Sequence, residues 1–177
     1  MPKISSAYTG KGDKGNTSFF GAVLSKSDLC FDVVGDIDEL NSSIGVCRGY
    51  NKDRETEKVL QTVQKCLFRA SAYLAGNKDH ELESSDTKNM EKSIDFFNAE
   101  LPELKKFILP DGCELASHLQ LARAVCRRAE RKVVSFREKE PLPGEMLKYF
   151  NRLSSLLFVL ARWANKEAGI KEAEWTP

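Results

Sequence analysis

No apolar run in the chain approaches the roughly 18 residues that a membrane-spanning helix needs, and the N-terminus lacks the apolar core of a secretion signal. Net charge is almost absent too. The 27 lysines and arginines against 26 aspartates and glutamates leave +1, so no bulk field draws the protein to nucleic acid or to an anionic membrane. Histidine is nearly missing: His80 and His118 are too few and too far apart for a zinc site. The five cysteines, Cys30, Cys47, Cys66, Cys113 and Cys126, are odd in number and include no C-x-x-C pair. That pattern argues against a disulfide frame and suits reduced thiols in the cytoplasm. Alternation of apolar and polar residues is too weak anywhere to build a sheet.

What is present is helical periodicity. The 177 residues suffice for one domain with a real core, and beyond residue 35 apolar residues recur at helical spacing. A first helix is expected from Asp36, which with Glu39 has the form of a capping box, and Ile37, Leu40, Ile44 and Cys47 mark its inner face. A second runs from about Asp53 to Ala75, with Gly76-Asn77 suited to its C-cap. The polar stretch 77–89 reads as a connection. A third helix carries Met90, Ile94, Phe97, Leu101 and Leu104, its last turns distorted by Pro102. "FILPDGC" is a turn, a fourth helix spans about Glu114 to Phe136, "KEPLPG" breaks it, and a fifth spans about Gly144 to Ala168. The expected fold class is all-α: a single domain, 1–177, made of a five-helix bundle over 36–177 behind an irregular Gly-rich arm over 1–35.

Three features exceed what packing requires. In "LARAVCRRAERKVV", Arg123, Arg127 and Arg131 each advance by about 40° and form one cationic ridge, with Glu130 its only acid and Arg128 about a quarter turn away. A solvated helix face would read the same way. Yet crowded guanidinium groups repel one another unless an anion collects there, and arginine binds phosphate oxygens bidentately. On the fifth helix Asn151, Ser155 and Arg162 fall within about 40° of one another amid leucines. Such a polar stripe needs partners, either on a neighbouring helix or in a pocket shared with the ridge. The third feature is "TGKGDKGNTSFFGA", residues 9–22, which reads as G-x-x-x-x-G-x-T from Gly10 to Thr17. It is a P-loop with Asn16 in place of the lysine, and the preceding "MPKISSAY" is no buried strand, so the Walker reading fails. Gly10, Gly12 and Gly15 still allow backbone N–H groups to converge on an anion, with hydroxyls from Thr9, Thr17 and Ser18 and charge from Lys11, Lys14 and Lys26. A flexible Gly-rich terminus is the alternative.

"YTGKGDKGNTS", "GDIDELNSSIG", "FILPDG", "LARAVCRRAER" and "YFNRLSSLLFVLAR", in this order and spacing, resemble the PduO-type ATP:cob(I)alamin adenosyltransferases over nearly the whole chain, least well between residues 77 and 100. The resemblance implies a homotrimer with active sites between subunits, and transfer of the 5′-deoxyadenosyl group of ATP to the cobalt of cob(I)alamin with release of triphosphate. It implies that Thr9, Gly10, Lys11, Gly12, Thr17 and Ser18 wrap the triphosphate, with Lys26 adding a cation. By the same resemblance Arg127 and Arg131 hold phosphate oxygens, and Glu130 and Asn151 complete the nucleotide and Mg²⁺ site. Arg127 and Asn151 are the expected catalytic pair. Asp38 is expected to pair with Arg123 across the subunit interface, and Phe107 to lie on the corrinoid side. A reductase or an adenosylcobalamin-dependent enzyme is the implied protein partner.

Three positions depart from the family pattern: Lys11 in the arm, Asp111 in the P-D-G turn, and Ser155 where an acid usually follows N-R-L-S. The stretch from Gly21 to Lys26 also lacks arginines that some relatives carry. The first and third positions bear on phosphate or metal contacts, the second on a turn. The chemistry asks for no protein nucleophile, since cobalt(I) attacks, and none is evident. Rival readings are a non-catalytic ATP-sensing bundle, an RNA-binding helical protein, and a structural bundle with a solvated arginine face.

Overall fold

Cys30, Val33, Ile37, Leu40, Ile44 and Cys47 follow one another at spacings of three or four, and all are buried along one face of helix α1, Leu29–Tyr50. The structure, a computed structural model, describes residues 8, 10, 12–19 and 22–176. Helix α1 begins seven residues before the expected start at Asp36. Its cap is Asp28, whose carboxylate accepts the Cys30 N–H at 2.9 Å, and the apolar face simply continues upstream through Val33 and Cys30. Asp36 and Glu39 are therefore mid-helix and free to make other contacts.

Helix α2 (Arg54–Leu74) starts at Asp53, which accepts from Thr56 N–H at 2.7 Å. It ends where Gly76 takes φ +108°, with Gly76 N–H bonded to Tyr73 O and Asn77 N–H to Ala72 O at 3.0 and 2.9 Å. That left-handed glycine closes the helix as expected. Helix α3 (Ser84–Asn98) begins earlier than the sequence suggested, inside the stretch read as a connection. Its start is held by Asp86, which accepts the Glu83 N–H at 2.8 Å and two bonds from Arg69 Nη1 at 3.0 Å. It stops before Pro102, so Leu101 and Leu104 lie outside it.

Helices α4 (Glu114–Arg137) and α5 (Gly144–Glu167) match expectation to within a residue. α4 packs on both α1 and α5, α5 also packs on α3, and α1 packs on α2. The core is a continuous cluster that includes Ile37, Leu40, Leu67, Phe97, Leu119, Val133, Tyr149, Phe150, Leu153 and Leu157. No helix among the described residues is long and apolar enough to cross a membrane.

The arm differs from expectation by containing a hairpin. Strands β1 (Asn16–Phe19) and β2 (Ala22–Ser25) pair antiparallel, Asn16 opposite Ser25 and Thr17 opposite Leu24. Four-residue strands without a strong apolar face give little periodic signal. Only Lys26 and Ser27 separate the hairpin from the α1 cap.

Candidate active site

At the open end of the hairpin the chain turns tightly. Gly10 and Gly15 sit at φ +68° and +81°, conformations that side chains other than glycine rarely adopt. Asp13 N–H bonds Gly10 O at 3.3 Å, and Gly15 N–H bonds Gly12 O at 3.2 Å. Across the hairpin, Lys26 N–H donates to Gly15 O at 2.8 Å. The Lys26 ammonium lies over Gly12, so close that a Cβ there would meet Nζ at 3.0 Å. A lysine side chain from the end of the opposite strand thus lies over the glycine turn. Thr17 is half-buried on β1, Ser18 is placed as a strand position, and Thr9 and Lys11 lie outside the described residues.

On α4 the cations divide into two groups. Arg128 lies against α1, bonding Glu39 and lying 3.4 Å from Asp36 Oδ1, while Lys132 reaches Asp32 at 3.2 Å. Arg127 and Arg131 are exposed on the other side and have no ion pair or side-chain hydrogen bond among the described residues. α1 neutralises the cations that face it and leaves these two uncompensated. Arg123 donates from Nε to Gln120 Oε1 at 2.8 Å and lies 5.9 Å from the Phe158 ring. Asp38 is exposed and has no partner among the described residues.

Beside the free arginines, Glu130 Oε1 accepts from Asn151 Nδ2 at 3.2 Å. Asn151 Oδ1 in turn accepts from Arg152 Nη1 at 3.0 Å, and Arg152 Nε donates to Glu91 at 2.8 Å. This relay fixes which way the Asn151 amide points. No group of three or more His, Cys, Asp or Glu among the described residues is placed to hold a metal ion.

The thiols offer no nucleophile here. Burial pushes Cys126 up to about 12, the Glu130 charge adding to it, and burial pushes Cys47 up to about 12. His118 is stacked on Tyr50 with ring centroids 4.8 Å apart.

A family model described as cobalamin adenosyltransferase matches residues 7–164. The chain belongs to the cobalamin adenosyltransferase family. Among the relatives of this adenosyltransferase family member, the corrinoid adenosyltransferase of Bacillus subtilis (strain 168) is 41% identical over 175 residues, 95% of this chain and 91% of that protein. The corrinoid adenosyltransferase MMAB of Homo sapiens is 36% identical over 183 residues, 97% of this chain and 73% of that one. A variant PduO-type ATP:corrinoid adenosyltransferase from Lactobacillus reuteri, complexed with cobalamin and ATP, superposes with a TM-score of 0.90 at 32% identity, covering 97% of this chain and all of that one.

Of the two readings left open for the polar stripe on the fifth helix, the structure decides one for Arg162 in this family member. Arg162 does not line a pocket with the arginine ridge. Its side chain is buried and binds Glu172 through Nε at 2.8 Å and Nη2 at 3.1 Å, and Pro102 O at 2.7 Å. From Asn151 to Arg162 is three turns of helix, or about 16 Å at 1.5 Å per residue, so sharing a wheel angle did not bring them together. Ser155 is exposed between them, and Phe107 is exposed on the loop before α4. Sequence reasoning passed over Gln120, Arg152 and Asn165. Asn165 had a usable signal: a second polar residue one turn after Arg162 in a helix otherwise apolar on that side.

Proposed function

We propose that the chain transfers the 5′-deoxyadenosyl group of ATP to the cobalt of cob(I)alamin, forming adenosylcobalamin and releasing triphosphate. The observation that carries this reading is the division of charge on α4. Arg128 and Lys132 are neutralised by α1, while Arg127 and Arg131, beside the Glu130–Asn151 pair, have no ion pair among the described residues. The Lactobacillus reuteri relative is complexed with cobalamin and ATP, which supports both substrates.

The cobalt(I) electron pair forms the cobalt–carbon bond at C5′ while the bond from C5′ to the triphosphate oxygen breaks, and its electrons leave on that oxygen. The leaving group is highly anionic, so the protein's largest contribution is preorganised positive charge where that anion forms. Arg127 and Arg131 hold phosphate oxygens. Thr9, Gly10, Lys11, Gly12, Thr17 and Ser18 wrap the triphosphate, and Lys26 closes over it. Asn151, aimed by Arg152, and Glu130 orient the nucleotide. The donor set also fits Mg²⁺ bound in its usual manner, by one carboxylate with phosphate oxygens and water rather than by a protein cage. Glu130 would hold the ion, which would neutralise phosphate charge. Phe107 faces the corrinoid and excludes water and the lower axial ligand from cobalt.

The whole chain, 1–177, serves as a single catalytic domain, acting in the cytoplasm on cob(I)alamin supplied by a reductase. It assembles as a trimer with sites between subunits, where Asp38 of one subunit pairs with Arg123 of the next. Asp38→Arg should dissociate the trimer in sedimentation and Asp38→Arg/Arg123→Asp should restore it; a trimer unaffected by the single change removes that pair.

The test is an anaerobic assay with ATP, Mg²⁺ and chemically reduced cob(I)alamin, following the visible spectrum for a light-sensitive cobalt–carbon product. Nucleotide binding without product, even with fully reduced corrinoid, would install the ATP-sensing reading instead.

A further inference from the structure

Strand β2 joins helix α1 through a short link, in which Asp28 N–H bonds Ser25 O at 3.0 Å. β1 and the glycine turns reach the bundle through their pairing with β2. A cleft of about 460 Å³ lies between the hairpin and this end of the bundle. Its bundle side is apolar: Leu29, Leu74, Phe136 and Leu142 line it, and all four belong to the core or pack against it. The two lysines and two carboxylates of the lining cancel, so the cleft carries no net side-chain charge with which to hold an anion. Among the described residues of the two strands, Leu24 alone lines it from the hairpin side. Leu24 is half-buried, whereas its neighbour Val23 is 72% exposed.

Side chains alternate along a strand, and opposed residues of an antiparallel pair share a face. With Leu24 turned to the bundle, its partner Thr17 shares that face and is half-buried as well. A one-residue shift of β2 would turn Leu24 to water and Val23, one carbon shorter, to the cleft. Lys26 would shift with it. Its N–H would leave Gly15 O, to which it donates at 2.8 Å, and its ammonium would leave Gly12. Register is well specified only where one face of a strand is buried, and Leu24 is the side chain that gives β2 such a face.

We infer that Leu24 is a positioning residue, whose burial against Leu29, Phe136 and Leu142 docks β2 in the register that sets Lys26 over the glycine turn. The inference rests on the reading that this arm wraps the triphosphate. On that reading Leu24 touches no phosphate and acts through Lys26 and Thr17. Its effect is confined to the nucleotide. The cleft lies where α4 ends and the Phe107 segment lies before α4 begins, with about 35 Å of helix between them.

The experiment compares the full chain as wild type, Leu24→Ala, Leu24→Met, Leu142→Ala and Leu24→Ala/Leu142→Ala, with Val23→Ala as control. Mg·ATP binding is measured by calorimetry, the corrinoid KM by anaerobic turnover, and amide hydrogen exchange is followed at Lys26. Leu24→Ala should weaken ATP binding about tenfold, the scale of half the burial of one leucine side chain. It should also speed exchange at Lys26 and leave the corrinoid KM within about twofold of wild type. Leu24→Met, which conserves volume, should recover most of the loss, and Val23→Ala should stay within about twofold. The double variant should bind ATP little more weakly than its weaker single, because both changes remove one contact. Unchanged ATP affinity or unchanged Lys26 exchange in Leu24→Ala would overturn the dock, as would a double variant whose losses multiply. A wild type that fails to bind ATP would instead defeat the reading of the arm, and Lys26 exchange would still decide the dock.

Discussion

Arg127→Ala should lower kcat/KM for adenosyl transfer by about 10²–10³-fold, the usual cost of removing one preorganised donor from a developing anion, and should leave the melting temperature nearly unchanged. The two halves of this expectation come from one fact. Arg127 is exposed and has no ion pair or side-chain hydrogen bond among the described residues, so its removal breaks nothing inside the subunit. Substitutions of that kind typically move stability by less than about 0.5 kcal/mol. Arg127→Lys keeps the charge but loses the planar fork, and should fall between the two. Arg128→Ala is the control. It releases Asp36 and Glu39, so its effect should appear in the melt ahead of the turnover. Anaerobic product formation beside thermal melts reads all three, and Arg127→Ala turning over like wild type would end the phosphate role.

The second large effect is on stability. Gly112→Ala should lose about 3 kcal/mol or more, combining left-handed strain with displaced hydrogen bonds. At about 2–4 °C per kcal/mol for a chain of this size, the melting temperature should fall by about 6–12 °C. Gly112 sits at φ +124°, and a Cβ there would lie 1.9 Å from Asn165 Oδ1 and 2.4 Å from its Cγ and Nδ2. Asn165 is itself buried and engaged at both ends of its amide, so it can move only by giving up Asp111 O and the Cys113 N–H. Asn165→Ala in the same background should therefore add much less than it costs alone, because the two changes share one set of contacts. A Gly112→Ala melt within 2 °C of wild type, roughly the spread of a neutral change, would show that Asn165 does not anchor the turn.

The sequence was legible wherever a signal was local. Asp53, Gly76 and the Pro143-Gly144 step lie at the ends they mark, and the inner faces of α2, α4 and α5 follow directly from periodicity. α1 was misread at its start because Gly35 and Asp36 resemble a beginning, whereas Cys30 and Val33 carry the buried face further back to Asp28. The polar run before Met90 was misread because most of that first turn faces water; only Thr87 in it is buried. In the site, Arg127, Arg131 and Glu130 were legible as neighbours because helical geometry fixes which side chains share a face, whereas the contact of Glu130 with Asn151 of the next helix was expected only from the family resemblance. The partner of Arg162 stayed open in the sequence because Glu172 lies beyond the helix, in a tail whose path depends on tertiary pairing. Lys26 was recognised as a charge, but its place over Gly12 depends on the register of a hairpin that the periodic pattern did not reveal.

That hairpin has two strands of four residues and no third strand beside it among the described residues, a size that is marginally stable in water by itself. The glycine turns and Lys26 meet only when Asn16 opposes Ser25 and Lys26 N–H reaches Gly15. The apparent dissociation constant for an anion gripped there is the intrinsic constant divided by the fraction of molecules in which the hairpin is already closed. On the proposed role of the arm, side chains away from the glycine turns, such as Leu24 opposite Thr17, should tune nucleotide affinity through preorganisation.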